Sequence, residues 1–177
     1  KVSNHMSTLS VDTIQGQTAA AKVKLPAGSV LQTVVATEQR AANANTTSSS
    51  YTNLAGLSCV ITPKYNNSKI LVQANIHIHT QTSNYSEITL FRGSTNLATN
   101  SQARFLLQRG DGDPDGGNNG YGFWGMVPMS ILDNPATTSA TTYTIQVRKH
   151  ATGSNAIYIY EGGVNTITCQ EIAQWVL

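Results

Sequence analysis

The chain has 177 residues, room for one domain with a full core and little more. Only 11% of them are charged, against about a quarter in ordinary soluble domains, and the net charge is +2 with no Lys/Arg cluster. That balance gives no electrostatic footprint for nucleic acid, and no apolar run reaches membrane-spanning length. Polarity comes from Ser, Thr, Asn and Gln instead, residues that suit strands and loops better than helix surfaces.

Residues 1–5 read as a cloning remnant, with Met6 as the native start and no secretory apolar segment after it. Residues 6–28 hold too few large apolar side chains to fold alone, and are expected to be an N-terminal arm that packs on a partner. The domain proper is predicted over 29–177. Val30 to Val35 is its first strand, Glu38 to Asn45 has room for one helical turn, and Thr46 to Ser50 is a polar edge segment or loop. A strand from Leu57 to Thr62 stops at Pro63, and Asn66-Asn67-Ser68 turns into the longest alternating stretch of the chain. There Ile70, Val72, Ala74, Ile76 and Ile78 share one face, while Leu71, Gln73, Asn75, His77 and His79 share the other. The polar tract Thr80–Asn84 reverses the chain into a second strand with Ile88 and Leu90 buried and Glu87 and Thr89 outward. These two strands are expected to form the nucleus of a sheet. Gln102 to Leu107, Tyr121 to Leu132, Thr141 to His150, Ala156 to Tyr160 and Thr166 to Ile172 complete about ten strand candidates.

Strands at this spacing, with no fixed repeat, predict an all-β protein, most economically a jelly-roll β-sandwich. Its core should contain Ile70, Val72, Ala74, Ile76, Ile78, Ile88, Leu90, Tyr143, Ile145 and Val147. Cys59 and Cys169 read as two buried free thiols, able to pair only if their strands become neighbours.

Three segments carry a resemblance. ILVQANIHIHTQTSNYSEITLFRGSTNLA (70–98) is similar to the middle strands of the globular heads of complement and tumour necrosis factor. TTYTIQVRKHATGSNAIYIY (141–160) resembles the hairpin that follows in that fold, and TITCQEI (166–172) its closing strand. A nearer likeness is to fibre-type structural proteins of marine tailed phages, carried by STLSVDTIQG (7–16), VKLPAGSVLQTV (23–34) and SYTNLAGLSCVITPKYNNSKILV (50–72). The resemblance implies a homotrimeric jelly roll of the tumour-necrosis-factor and complement-head type. It also implies an arm that attaches to other virion proteins. Its motifs are patterns of strands and turns, not catalytic signatures.

Candidate chemistry is sparse. Asp111, Asp113 and Asp115 have the spacing of the first calcium ligands of a DxDxDG loop. However, Gly122 stands where the bidentate acid belongs and Pro114 interrupts the run, so a flexible, solvated loop is the preferred reading over calcium binding. Arg109-Gly110-Asp111 spells an adhesion tripeptide that three residues also give by chance. His77 and His79, two apart on one strand face, offer a metal pair if a symmetry axis gathers copies; Gln73 and Asn75 beside them suit an ordinary polar surface. Tyr121 and Trp124, beside a Gly/Asn-rich loop, are candidates for a sugar platform. Phe123, Met126 and Met129, with His77 and His79, are candidates for a subunit interface, because a strand can bury only one side in its own sandwich. No nucleophile elbow, Cys–His arrangement or P-loop is present, and Asp12, Glu87, Asp133 and Glu161 have no spacing that pairs them. The expectation is therefore a non-enzymatic virion structural protein, fibre-like or head-decorating, made in the host cytoplasm and touching a host glycan or receptor. It needs no cofactor, calcium apart. A carbohydrate-binding lectin module is the alternative, and a glycan-cleaving enzyme a weaker one.

Overall fold

The computed structural model describes residues 25–39, 42, 44–53, 56–80, 85–100, 104, 106–109, 123–150, 157–159 and 163–174. Eleven strands occur in the order β1 (Val30–Gln39), β2 (Ala44–Thr46), β3 (Ser58–Ile61), β4 (Lys69–Thr80), β5 (Tyr85–Arg92), β6 (Thr95–Asn96), β7 (Leu106–Arg109), β8 (Phe123–Asp133), β9 (Thr141–Lys149), β10 (Ile157–Ile159) and β11 (Val164–Ile172). No helix occurs among the described residues. The helical turn expected near Glu38–Asn45 is replaced by strand at both ends, because Glu38 and Gln39 pair with Asn165 and Val164 while Ala44 and Asn45 pair with Ile159 and Tyr158.

The strands make two antiparallel sheets packed as a sandwich. In the first, β8 pairs β4 along its whole length, and β10 and β11 share the opposite edge of β4 end to end. β2 and β1 then pair β10 and β11 in the same manner. In the second sheet β9 lies between β3 and β5, and β6 and β7 both pair the far edge of β5. The segment after β2 prolongs the β3 edge. Thr52 and Val147 exchange both main-chain bonds (2.9 and 3.0 Å), and Lys149 N donates to the Ser48 carbonyl (2.8 Å).

β4 and β5 are therefore not a hairpin. The tract after Thr80 carries the chain from one sheet to the other, and β9 and β10 are likewise split between sheets. Alternation shows that each strand has one apolar face, but it does not say whether two such strands meet edge to edge or face to face. Here they meet face to face, and the inward faces interdigitate as one core. Ile70, Val72, Ala74, Ile76 and Ile78 oppose Ile88, Leu90, Tyr143, Ile145 and Val147, and every one of these is at most 1% exposed. All ten expected core residues are thus buried.

Polar staples close the ends of the sandwich. Asp133, at the end of β8, takes both oxygens' bonds from Arg92 Nη1 (2.9 Å each) and one from the buried Tyr143 hydroxyl (2.7 Å), tying the two sheets together. Burial first, then the bond to Asp133, pushes the Tyr143 hydroxyl far above its ordinary value. At another point the buried Glu171 accepts Lys64 N (2.8 Å), Tyr65 N (3.3 Å) and Gln32 Nε2 (2.6 Å), so the β3–β4 turn is clamped on β11.

Candidate functional site

The two outward faces differ in chemistry. On the first sheet the outward positions are Thr33, Val35 and Thr37 of β1, Thr166, Thr168 and Gln170 of β11, Leu71, Gln73, Asn75 and His77 of β4, and Met126, Pro128, Ser130 and Leu132 of β8. Of the outward positions on these four strands only Lys69, at the start of β4, is Asp, Glu, Lys or Arg. Val35 (56%), Met126 (48%) and Leu132 (51%) are large apolar side chains left open to solvent on this face. A shallow groove of about 240 Å³ runs between β4 and β8, bordered by Gln73, Asn75, Pro128 and Ser130. β8 is an edge strand of 11 residues, and Pro128 in its middle removes one main-chain donor from that edge.

Of the residues the sequence proposed for an interface, Met126 stands on this face, paired in register with His77. Met129 does not: it points into the sandwich and is 6% exposed, so it belongs to the core. Alternation from Met126 settles this, since an odd separation puts the two methionines on opposite faces. Phe123 and Trp124 pair with Thr80 and His79 through the backbone. Asp111, Asp113, Asp115, Tyr121 and the arm up to residue 24 lie outside the described residues.

His77 is held by its neighbours. β10 ends its pairing at Ile78 and β11 resumes at Asn75, so no β10–β11 residue pairs with His77 along that edge of β4. The His77 N–H therefore lacks a ladder partner, and the Asn165 Oδ1 accepts it (2.8 Å); Asn165 Nδ2 in turn donates to Glu38 Oε2 (2.9 Å). Gly163 lies directly on the imidazole, where an added Cβ would sit 1.8 Å from Nδ1. Nδ1 is buried without a hydrogen-bond partner. His79 is held below its ordinary value by burial, which favours the neutral ring. Among the described residues no three His, Cys, Asp or Glu side chains come together as a metal set.

The outward face of the second sheet carries a charged cluster that alternation alone does not reveal. Glu87 is outward by register yet 1% exposed. Arg104 Nη1 reaches its Oε1 (2.8 Å), Arg148 reaches its Oε2 through Nε (2.8 Å) and Nη2 (2.7 Å), and the Tyr51 hydroxyl donates to Oε2 (3.4 Å). His150 Nε2 stands 3.6 Å from Oε1. Arg148 also lies over the Tyr51 ring (4.3 Å to the centroid), and Tyr51 meets Phe91 edge-on (5.6 Å). Burial alone raises a carboxyl, but the bonds and charges of Arg148 and Arg104 outweigh it and hold Glu87 below the ordinary range. Burial pushes the Tyr51 hydroxyl up to about 12, with Arg148 opposing and Glu87 adding to the rise. A carboxylate so fully engaged is a poor proton acceptor, and the cluster reads as a fastening of β5, β9 and the 48–52 segment. Sequence reasoning missed it because Glu87 and Arg148 are brought together by strand pairing and Arg104 reaches them from outside the strands, not by spacing.

A second cavity, about 210 Å³, opens between the β6–β7 edge and β8, lined by Leu97, Ala98, Thr99, Asn100, Arg104 and Ile131. The chain matches no known family model and no curated protein sequence.

Proposed function

We propose that this chain is a non-enzymatic structural subunit of a tailed-phage particle, a jelly-roll sandwich that assembles as a homotrimer through the outward face of its first sheet. The observation that carries the assembly is that face, four strands wide and charged on its strands only at Lys69, with Val35, Met126 and Leu132 exposed on it. Charge is what ordinarily keeps a flat sheet surface from associating, and here it is confined to Lys69 at one end of β4. Cyclic closure of three copies would cover the face and stop further growth. His77, next to Met126 in register, would then lie at or near the axis. The strand order supports the jelly-roll reading: β1, β11, β4 and β8 in one sheet, β3, β9, β5 and β7 in the other, with the chain changing sheets at β3, β4, β5, β8, β9 and β10. The phage context rests on the resemblance in segments 7–16, 23–34 and 50–72.

Sedimentation or light scattering of the purified chain tests the assembly. A trimer is expected for the parent and a monomer for Met126→Glu, and a parent that is monomeric at micromolar concentration overturns it. Deleting residues 6–28 should leave a folded domain that no longer joins the particle; normal incorporation would remove the attachment reading.

A lectin function is a second reading, favoured by the β4–β8 groove. Its Gln73, Asn75 and Ser130 offer uncharged donors and acceptors suited to sugar hydroxyls. Saccharide binding by the isolated chain, lost in Gln73→Ala, would select it over the structural role.

A further inference from the structure

Cys59 and Cys169 lie in opposite sheets, on β3 and β11, about 110 residues apart in sequence. Both are in the core, at 1% and 0% exposure. The Cys59 thiol donates to the Val34 carbonyl (3.4 Å), and Val34 is the residue paired directly with Cys169 in the β1–β11 ladder. The Cys59 thiol therefore lies against the main-chain position directly opposite Cys169. The sandwich thus brings the two cysteines together across its inter-sheet space, at a place where a bridge would join the sheets.

We propose that Cys59 and Cys169 are a disulfide-forming pair that links the two sheets when the chain folds in an oxidising medium. The oxidant is a small disulfide of the glutathione class. One cysteine thiolate attacks a glutathione disulfide sulfur and expels a glutathione thiolate. The second cysteine thiolate then attacks the protein sulfur of that mixed disulfide and expels the other glutathione thiolate. One S–S bond forms in the protein and one is lost from the oxidant; the two cysteine protons pass through solvent to the two leaving thiolates. The reaction belongs to folding rather than to the finished domain. Donation toward Cys59, then burial, holds the Cys169 thiol far above its ordinary value, and a buried protonated thiol is a slow nucleophile. A closed loop of this length constrains the unfolded chain strongly, which is where such a bridge acts.

The test is refolding of the full chain from denaturant in a reduced/oxidised glutathione buffer and, in parallel, in dithiothreitol. The expected oxidised product is a chain about 2 Da lighter with no disulfide between chains, no titratable thiol, a peptide joining Cys59 to Cys169, and a midpoint roughly 5–10 °C above the reduced form. Cys169→Ala, or Cys59→Ala if the former does not fold, should show no shift between the two buffers. The proposal is overturned if the oxidised refolding yields native sheet signal with both thiols still titratable. It is equally overturned if the product is linked between chains, or if the intramolecular bridge lowers the midpoint.

Discussion

Replacing Glu87 by Gln removes one charge and almost no volume, so its effect reports on the charged cluster alone. Glu87 is buried, and it meets Arg104 at 2.8 Å and Arg148 at 2.7 Å, with the Arg side chains 18% and 31% exposed. Removing one partner of a fully buried pair costs about 3–5 kcal/mol, most of it the charge left uncompensated. The exposed parts of both guanidiniums regain water, and the Gln carbonyl still accepts one bond, so about 2–3 kcal/mol is expected here. For a domain of this size that lowers the midpoint by roughly 5–10 °C. Thermal and urea unfolding followed by far-ultraviolet circular dichroism measures it.

The pH dependence is a second readout of the same substitution. Although burial opposes it, Arg148 and Arg104 hold the Glu87 carboxyl low in the folded protein. Stability from a depressed carboxyl is fully present above the unfolded-state value, roughly 4.3, and is lost as pH falls through the lower folded value. The gap between parent and Glu87→Gln should therefore be constant from neutral pH to about 5 and shrink below about 4. A variant that melts within about 1 °C of the parent at neutral pH would refute the view that this cluster fastens β5 to β9.

Gly163→Ala should destabilise the domain by about 1–3 kcal/mol, because its Cβ would sit 1.8 Å from His77 Nδ1 and the ring has to leave. Combining it with His77→Ala should recover most of that loss in urea unfolding, and a purely additive double variant would show that the contact is not the cause. Ile76→Asp places a carboxylate at a core position 1% exposed, at a cost of several kcal/mol that approaches total domain stability. Loss of the cooperative transition is expected in circular dichroism; a parent-like melt would mean that the register of β4 is other than described.

By itself, the sequence determined the class of the protein and the inside of each strand. Period two over Ile70–Ile78, with Ile88–Leu90 and Tyr143–Val147, identifies the buried faces without any knowledge of pairing, because a pleated strand offers only two faces. The same logic, applied from Met126, would have sent Met129 inward; the dense apolar run from Tyr121 obscured it. Pairing was decided only in the tertiary structure. β4 and β5 look like a hairpin because they are adjacent and alike, yet they pack across the core, since face-to-face burial removes both apolar faces from water and a hairpin alone removes neither. Long-range pairing likewise made Glu87, Arg104 and Arg148 one cluster, set Asn165 against the unpaired His77 amide, and brought Cys59 to Cys169. None of these follows from spacing, because contacts between strands far apart in the chain depend on register, and register is fixed by how all the apolar faces are buried at once.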